Sequence, residues 1–162
     1  MINFDRIEAD IFIGSAPQSS VDIARLKKMQ VSAVISLQSD ADFITHQIDW
    51  KALSNAYLQN GISVQRFPIL DFNEADLSKN LVPPVRALNR LLTKGNRVYL
   101  HCNAGICRAP ATVLAYLCHY RDMSIQQGLE YIRRQRPQVS PYKNAVVKAL
   151  EILHAEGEKN LN

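Results

Sequence analysis

A short segment in the middle of the chain carries the residues best suited to chemistry. Residues 101–110 read His-Cys-Asn-Ala-Gly-Ile-Cys-Arg-Ala-Pro, with Cys102 and Arg108 six positions apart. A cysteine in a loop that opens a helix is a strong nucleophile, because the helix dipole and nearby cations favour the thiolate. An arginine that closes the same loop offers a planar fork of donors for two oxygens of a phosphoryl group. The segment therefore predicts phosphate chemistry through a covalent cysteinyl intermediate.

The backbone of this loop is predicted to hold the phosphate. Gly105 permits a conformation that a side chain would disfavour, so that successive N–H groups can point into one concavity. The residues predicted to bind phosphate are those that follow the cysteine: Asn103, Ala104, Gly105, Ile106, Cys107 and Arg108. His101 is predicted to hydrogen-bond the backbone behind Cys102 and to orient it.

Displacement at phosphorus also needs an acid that protonates the departing oxygen, and residues 71–78 supply candidates. General acids contribute typically about 10²–10⁴-fold to a rate. Asp71, Glu74 and Asp76 all lie in this stretch, which we expect to be a loop. Their chemistry alone does not distinguish them, and a solvated acidic surface is the ordinary alternative.

The elements around the 102–108 loop predict an α/β fold. Apolar and β-branched runs predict strands near residues 11–14, 31–37, 62–67 and 97–100. Helical patterns follow Ser20 and cover about 49–59, 81–92, 109–120, 124–136 and 141–155, whereas 38–47 is expected to be irregular. Strands that alternate with helices predict a central, mostly parallel sheet flanked by helices. The loop then follows the carboxyl end of a strand, where such sheets bind ligands.

Composition narrows the class of protein. The chain has 162 residues, 47% of them hydrophobic and 21% charged, which predicts one globular domain over residues 1–162. Its 19 basic and 15 acidic residues give a net charge of +4, too small an excess to indicate a nucleic acid partner. Three cysteines without paired metal-ligand spacing indicate neither a disulfide framework nor a metal site, and a reactive thiol fits a reducing cytoplasm. Because no apolar run is long enough to cross a bilayer, no membrane span is expected.

The sequence His101-Cys102-x₅-Arg108 resembles the active-site signature of the protein tyrosine phosphatase superfamily. The whole domain resembles its compact dual-specificity branch, from about residue 11 to 150, and Arg136-Pro137 match a turn of that branch. The resemblance implies a tyrosine phosphatase-like fold of the dual-specificity type. It also implies an enzyme that cleaves phosphotyrosine and phosphoserine or phosphothreonine esters without a cofactor. The family's general acid precedes the cysteine on a loop, and the resemblance selects Asp71, 31 residues before Cys102.

A closer likeness is to the glucan phosphatases, the laforin-like and plant starch-phosphate enzymes. The segments that carry it are Leu37-Gln38-Ser39-Asp40, Ile48-Asp49, Asp71-Phe72 and Arg108-Ala109-Pro110. It implies that Phe72 is an aromatic that lines a substrate channel, and that a phosphoglucan is an alternative substrate. Cys107 and Thr45-His46 depart from this branch, which usually carries glycine and adjacent aromatics there. Ala109 departs from most tyrosine phosphatases, in which a hydroxyl group assists release of the thiolate.

Cys107 also resembles the second loop cysteine of the low-molecular-weight tyrosine phosphatases, which can pair with the nucleophile. The likeness implies a Cys102–Cys107 disulfide that protects Cys102 from irreversible oxidation. The alternative interpretation is a small residue that packs behind the loop.

Two functions of other classes also use such a loop. One is a catalytically dead phosphate-binding module, against which the presence of Cys102, Arg108 and Asp71 argues. The other is a thiol-dependent arsenate reductase or sulfur transferase, which has no use for Asp71. We therefore predict a metal-independent phosphatase whose partner is a phosphorylated substrate: a phosphoprotein, a phosphoglucan or an inositol phosphate.

Overall fold

The structure, a computed structural model, describes residues 1–159 and holds a five-stranded sheet between two layers of helices. The strands are β1 (Phe4–Glu8), β2 (Ile11–Gly14), β3 (Ala33–Ser36), β4 (Ser63–Arg66) and β5 (Val98–His101). The helices are α1 (Ser20–Lys28), α2 (Asp40–Thr45), α3 (Trp50–Gln59), α4 (Glu74–Asn80), α5 (Val82–Thr93), α6 (Arg108–Tyr120), α7 (Ile125–Gln135) and α8 (Lys143–Lys159). Among these described helices, none is long and apolar enough to span a bilayer. Residues 160–162 of the predicted domain lie outside the described part.

The sheet is mostly parallel, with the strand order β1-β2-β5-β3-β4 and with β1 antiparallel to β2. The prediction of an α/β fold with a mostly parallel central sheet is therefore confirmed. Gly14 and Ser36 both pair with His101, so the carboxyl ends of β2, β3 and β5 meet at one edge. The 102–108 loop follows β5 at that edge, where open α/β sheets bind ligands.

The inner strands are apolar on both faces because helices cover both. Phe12, Val34 and Tyr99 pack with helices α1 and α3 on one face. On the other face, Ile35 and Leu100 join the larger core formed with helices α4 to α8. Side chains that alternate along each strand produce this division.

Strand β1 and helix α4 are missing from the sequence-based prediction, which was wrong at both places. Strand β1 lies at the edge and mixes charged with half-buried residues, so it lacks the apolar run of the inner strands. Helix α4 occupies most of the acidic stretch that was predicted to be a loop. Asn73 caps this helix by accepting from the Asp76 N–H, and Leu77 is its buried residue. Its seven residues are too few to display a helical period.

Helix α2 lies where an irregular segment was predicted, so that prediction was also wrong. The Ser39 hydroxyl accepts from the Asp42 N–H, and the Asp42 carboxylate accepts from the Ser39 N–H, which forms a capping box. The caps rather than the pattern of apolar residues define this helix, because it has only six residues. It carries Asp42 to the sheet edge where the 102–108 loop lies.

Candidate active site

The carbonyl groups of residues 102–106 are all held by donors outside the 102–108 loop. The bonds are His101 Nδ1 to Cys102 O (2.9 Å), Ala16 N to Asn103 O (2.9 Å), Arg136 Nη2 to Ala104 O (3.0 Å), Arg136 Nε to Gly105 O (2.9 Å) and Ser140 N to Ile106 O (2.7 Å). In a planar trans peptide the N–H points opposite to the carbonyl. Turning these carbonyls outward therefore turns the next N–H groups toward the cavity, where they form a nest for an anion.

Gly105 is the position at which this loop requires glycine. Its φ of +68° lies in the left-handed region, which residues with a side chain seldom adopt. A Cβ at this position would also lie 2.5 Å from the carbonyl oxygen of Gly14. The loop therefore packs directly on the backbone at the end of β2, and a methyl group would push the two apart.

Arg136 supports the loop from behind, a role that the sequence did not reveal. Its side chain is 1% exposed, donates to two loop carbonyls, and pairs with Asp5 of β1 at 2.7 Å. A buried guanidinium that is fully paired in this way holds its partners in one geometry. The family resemblance matched Arg136-Pro137 only to a turn. The sequence did not indicate these contacts, because the carbonyls are about 30 residues away along the chain.

Arg108 is buried and oriented by one end of its guanidinium group. Its Nη1 donates to Asp42 Oδ2 (2.6 Å) and Ile69 O (2.7 Å), with Leu37 O at 3.3 Å. Its Nε and Nη2 have no hydrogen-bond partner among the described residues, although Asp71 Oδ2 lies 3.2 Å from Nη2 as an ion pair. Buried donors without partners are costly, so these two nitrogens are suited to two oxygens of a bound anion.

Asp42 is a second residue of the site that sequence reasoning missed. Burial alone would raise the pKa of this carboxyl, but hydrogen bonds from Arg108, Asn103 and the Ser39 backbone outweigh burial and lower the pKa. The carboxylate is therefore charged and fixes the orientation of Arg108. The Ser-x-x-Asp capping box was a signal for helix α2. Nothing local indicated the pairing, because Arg108 lies 66 residues away.

Asp71 is the acidic side chain of residues 71–78 that enters the site. Its Oδ2 lies 3.1 Å from Asn103 Nδ2, and its Oδ1 accepts from the Phe72 N–H. Asp76 instead accepts from the Leu70 N–H at 2.7 Å, and Glu74 is exposed on helix α4. The chemistry of the sequence did not distinguish Asp71, Glu74 and Asp76 as candidate general acids. Their positions favour Asp71.

A cavity of about 130 Å³ joins these groups. Its lining residues are Asp71, Phe72, Cys102, Asn103, Ala104, Ile106, Cys107 and Arg108. Cys102 is buried at 3% exposure, whereas the Phe72 side chain is 89% exposed at the rim with a φ of +53°. The cavity therefore combines a polar floor, suited to phosphate, with an apolar rim to which Ile106 also contributes.

His101 is neutral in this environment. Burial and, to a smaller extent, the nearby Arg108 cation lower its pKa from 6.5 to about 4, against the effect of the hydrogen bond to Cys102. Because a carbonyl oxygen only accepts, the proton of the neutral ring lies on Nδ1. This matches the predicted contact between His101 and the backbone behind Cys102.

Cys107 lies at the start of helix α6 and lines the same cavity as Cys102, and both are free thiols. The Cys107 side chain is half-buried, and burial raises the pKa of its thiol. Cys107 is therefore protonated at neutral pH.

Several known proteins are similar to this chain in sequence. A model of the dual specificity phosphatase catalytic domain matches residues 11–152. The phosphoglucan phosphatase DSP4 of Castanea sativa is 28% identical over 154 residues, which cover 92% of this chain and 41% of that protein. Laforin of Mus musculus is 26% identical over 159 residues, which cover 91% of this chain and 48% of that protein. The chain thus spans less than half the length of these relatives.

A solved structure shows the same fold. The crystal structure of PTPMT1 superposes with a TM-score of 0.78 at 23% identity, covering 97% of this chain and 99% of that chain. The predicted tyrosine phosphatase-like fold is therefore confirmed.

Proposed function

The chain belongs to the dual-specificity phosphatase family of cysteine-dependent phosphoric monoester hydrolases, and on that premise we propose that it hydrolyses phosphate monoesters at the 102–108 loop. The observation that carries the proposal is the pair of buried Arg108 nitrogens without hydrogen-bond partners, in the wall of the cavity that also holds Cys102 and Asp71. A phosphoryl dianion would occupy these donors and the N–H groups of the loop. The proposed substrates are phosphotyrosine, phosphoserine and phosphothreonine esters.

In the first step the Cys102 thiolate attacks phosphorus. An S–P bond forms, the P–O bond to the leaving group breaks, and Asp71 gives its proton to the departing oxygen. Arg108 and the loop N–H groups bind the three remaining oxygens as their charge redistributes. These donors are already in place before the reaction, so little reorganisation is needed.

In the second step water attacks the phosphocysteine. Asp71, now a carboxylate, takes a proton from the water, the S–P bond breaks, and Cys102 leaves as a thiolate with inorganic phosphate released. Ala109 offers no hydroxyl group to the departing thiolate. We therefore expect this step to be slower than in relatives with serine or threonine at that position.

Release of phosphate from p-nitrophenyl phosphate tests the proposal, with Cys102→Ser and Asp71→Ala as variants. We expect Cys102→Ser to abolish turnover, Asp71→Ala to reduce it by about 10²-fold or more, and acid quench to trap phosphate on Cys102. No turnover by the wild-type chain would favour a binding module. Arsenate turnover with near-full activity of Asp71→Ala would favour the arsenate reductase.

A phosphoglucan is the second candidate substrate, and the exposed Phe72 ring at the cavity rim favours it. An aromatic ring beside a phosphate site can pack against the apolar face of a sugar, and relatives named phosphoglucan phosphatases are among those matched. Phosphate release from phosphorylated amylopectin, beside phosphotyrosine and phosphothreonine peptides, distinguishes the two. We expect Phe72→Ala to reduce release from glucan more than release from p-nitrophenyl phosphate, and no release from glucan would end this candidate.

The redox proposal for Cys107 also concerns this cavity. Peroxide would oxidise the Cys102 thiolate to a sulfenic acid, and the Cys107 thiol would condense with it to form a disulfide and water. Without Cys107, peroxide would oxidise the sulfenic acid further to a sulfinic acid, which thiols do not reduce. We therefore expect dithiothreitol to restore activity to peroxide-treated wild type and to the Cys118→Ser control, but not to Cys107→Ser. Irreversible loss of activity in wild type would contradict the proposal.

A free thiolate also requires a reducing compartment, and we propose the cytoplasm for this reason.

A further inference from the structure

Asn103 connects the two carboxylates of the cavity. Its Nδ2 donates to Asp42 Oδ1 at 2.9 Å and to Asp71 Oδ2 at 3.1 Å. One amide nitrogen with two protons is therefore shared between the group that orients Arg108 and the predicted general acid. The loop residue next to Cys102 thus contacts the acid with its side chain, in addition to offering its backbone N–H.

The orientation of this amide is determined by its surroundings. Asn103 Oδ1 accepts from Gln38 Nε2 at 2.9 Å. The opposite orientation would place an oxygen against two carboxylates and an amide N–H₂ against that of Gln38. Only the observed orientation satisfies all three neighbours.

The acid segment has few other ties to the site. Asp71 Oδ1 accepts from the N–H of the next residue, and Asp71 Oδ2 lies at ion-pair distance from Arg108 Nη2. A bound phosphate would occupy that nitrogen, so the contact with Arg108 weakens when substrate binds. The positive φ of Phe72 adds a conformation that residues with bulky side chains disfavour. The Asn103 amide is then the side-chain hydrogen bond that keeps Asp71 over the cavity.

We propose that Asn103 is a positioning residue for the general acid, with Asp42 and Gln38 fixing its amide. The proposal rests on the proposed function, because it assigns to Asn103 the placement of the proton that Asp71 donates. The amide binds Oδ2 and the Phe72 N–H binds Oδ1, so the two contacts together fix the orientation of the carboxyl group over the cavity. The phosphate nest itself does not depend on this side chain, because its carbonyls are held by other donors.

Leaving-group dependence tests this role. A poor leaving group, as in phenyl phosphate, needs the proton, whereas a good one, as in 6,8-difluoro-4-methylumbelliferyl phosphate, leaves without it. We expect Asn103→Ala to lower kcat/KM, which reports on the first step alone, by about tenfold or more for phenyl phosphate and by less than about threefold for the activated ester. Asn103→Leu, which is similar in size, uncharged and unable to donate, should reproduce the pattern. Asn55→Ala, a change at an exposed asparagine of helix α3, serves as the matched control.

Two further measurements separate positioning from damage to the loop. Inhibition by tungstate, which reports on the phosphate nest, should change by less than about twofold in Asn103→Ala. In an Asp71→Ala background, Asn103→Ala should add less than about a twofold loss, because the two residues act in one step. Should Asn103→Ala fail to fold, Asn103→Ser and Gln38→Ala are measured against the same criteria.

The outcomes are distinguishable. Equal losses with both esters, no loss with phenyl phosphate, or a multiplicative loss in the Asp71→Ala background would overturn the role of Asn103 while leaving the proposed function intact. Full activity of Cys102→Ser, or an inactive wild type, would instead overturn the proposed function itself.

Discussion

The 102–108 loop and the segment that carries Asp71 face each other across one cavity, but they are held very differently. Five carbonyls of the loop are bound by donors from outside it, which are His101, Ala16, Arg136 and Ser140. The Asp71 segment has exposed residues on either side of Asp71 and a non-glycine residue at positive φ. Within the described part of the chain, Asp71 contacts the loop only through the Asn103 amide and the end of Arg108. The difference indicates a phosphate nest that is preformed and an acid whose position adjusts.

The largest effect is expected from Arg136→Met, which removes the support of the 102–108 loop. The substitution leaves Asp5 unpaired and two loop carbonyls without donors. We expect a loss of about 3–5 kcal/mol in the free energy of unfolding, together with weaker tungstate binding, since two loop carbonyls each lose a charged donor that contributes about 1.5–3 kcal/mol. Urea denaturation measures it.

Arg121→Met is the matched control for that change. Arg121 also pairs with a carboxylate of β1, Glu8, at 3.1 Å, but its side chain is 49% exposed. Removing it should cost less than about 1 kcal/mol. Equal losses for the two variants would show that the loop does not depend on Arg136.

The next largest effect is a pH dependence of stability that is caused by His101, the residue before Cys102. Burial lowers the pKa of His101 from 6.5 to about 4. Between pH 6.5 and 4 this histidine is therefore protonated in the unfolded chain but neutral in the folded one. The contribution to the free energy of unfolding is therefore complete above pH 6.5 and falls as the pH drops toward 4, by about 3 kcal/mol at most. Denaturation of His101→Asn should show a shallower slope between these values, whereas the exposed His46→Asn should keep the wild-type slope.

Asp42→Asn removes the charge that orients Arg108 while keeping the shape of the side chain. We expect kcat/KM to fall by about tenfold or more, corresponding to roughly 1.5–2 kcal/mol, because Arg108 loses its ion pair and one acceptor oxygen of Asp42 becomes an N–H₂ group. Both poor and activated esters should lose activity, because Arg108 binds the phosphate of each, and the poor ones should lose somewhat more, because Asp42 also holds the Asn103 amide. A loss confined to poor leaving groups would assign Asp42 to the acid rather than to the nest.

The smallest effect is expected from Asp76→Asn, which loosens the acid segment. The Asp76 carboxylate accepts from the Leu70 N–H at 2.7 Å and from Asn80, so it ties the segment to helix α4. We expect kcat/KM to fall a few fold with phenyl phosphate and to stay unchanged with the activated ester, because only the general acid Asp71 is displaced. A change in tungstate inhibition would mean that the two sides are not independent.

The chemistry-bearing loop was predictable from the sequence, and its supports were not. Cys102, Gly105 and Arg108 lie within one strand-loop-helix segment, so their spacing and the flanking patterns were sufficient. Asp71 needed the family resemblance, because its chemistry did not separate it from Glu74 and Asp76. The supporting residues Asp42 and Arg136 act across 66 and about 30 residues of chain, and no local pattern records such pairings.

The contact between Asp5 and Arg136 gives the edge of the sheet a part in turnover. Strand β1 is bound on one side only, so local opening of this strand should be more frequent than global unfolding. Each opening separates Asp5 from Arg136. The Arg136 guanidinium then loses the carboxylate that orients it against the carbonyls of Ala104 and Gly105. Amide hydrogen exchange in residues 4–8 and the fraction of catalytically competent molecules are then governed by one equilibrium. A substitution that stabilises or destabilises the pairing of β1 with β2 would therefore change activity without altering any residue of the cavity.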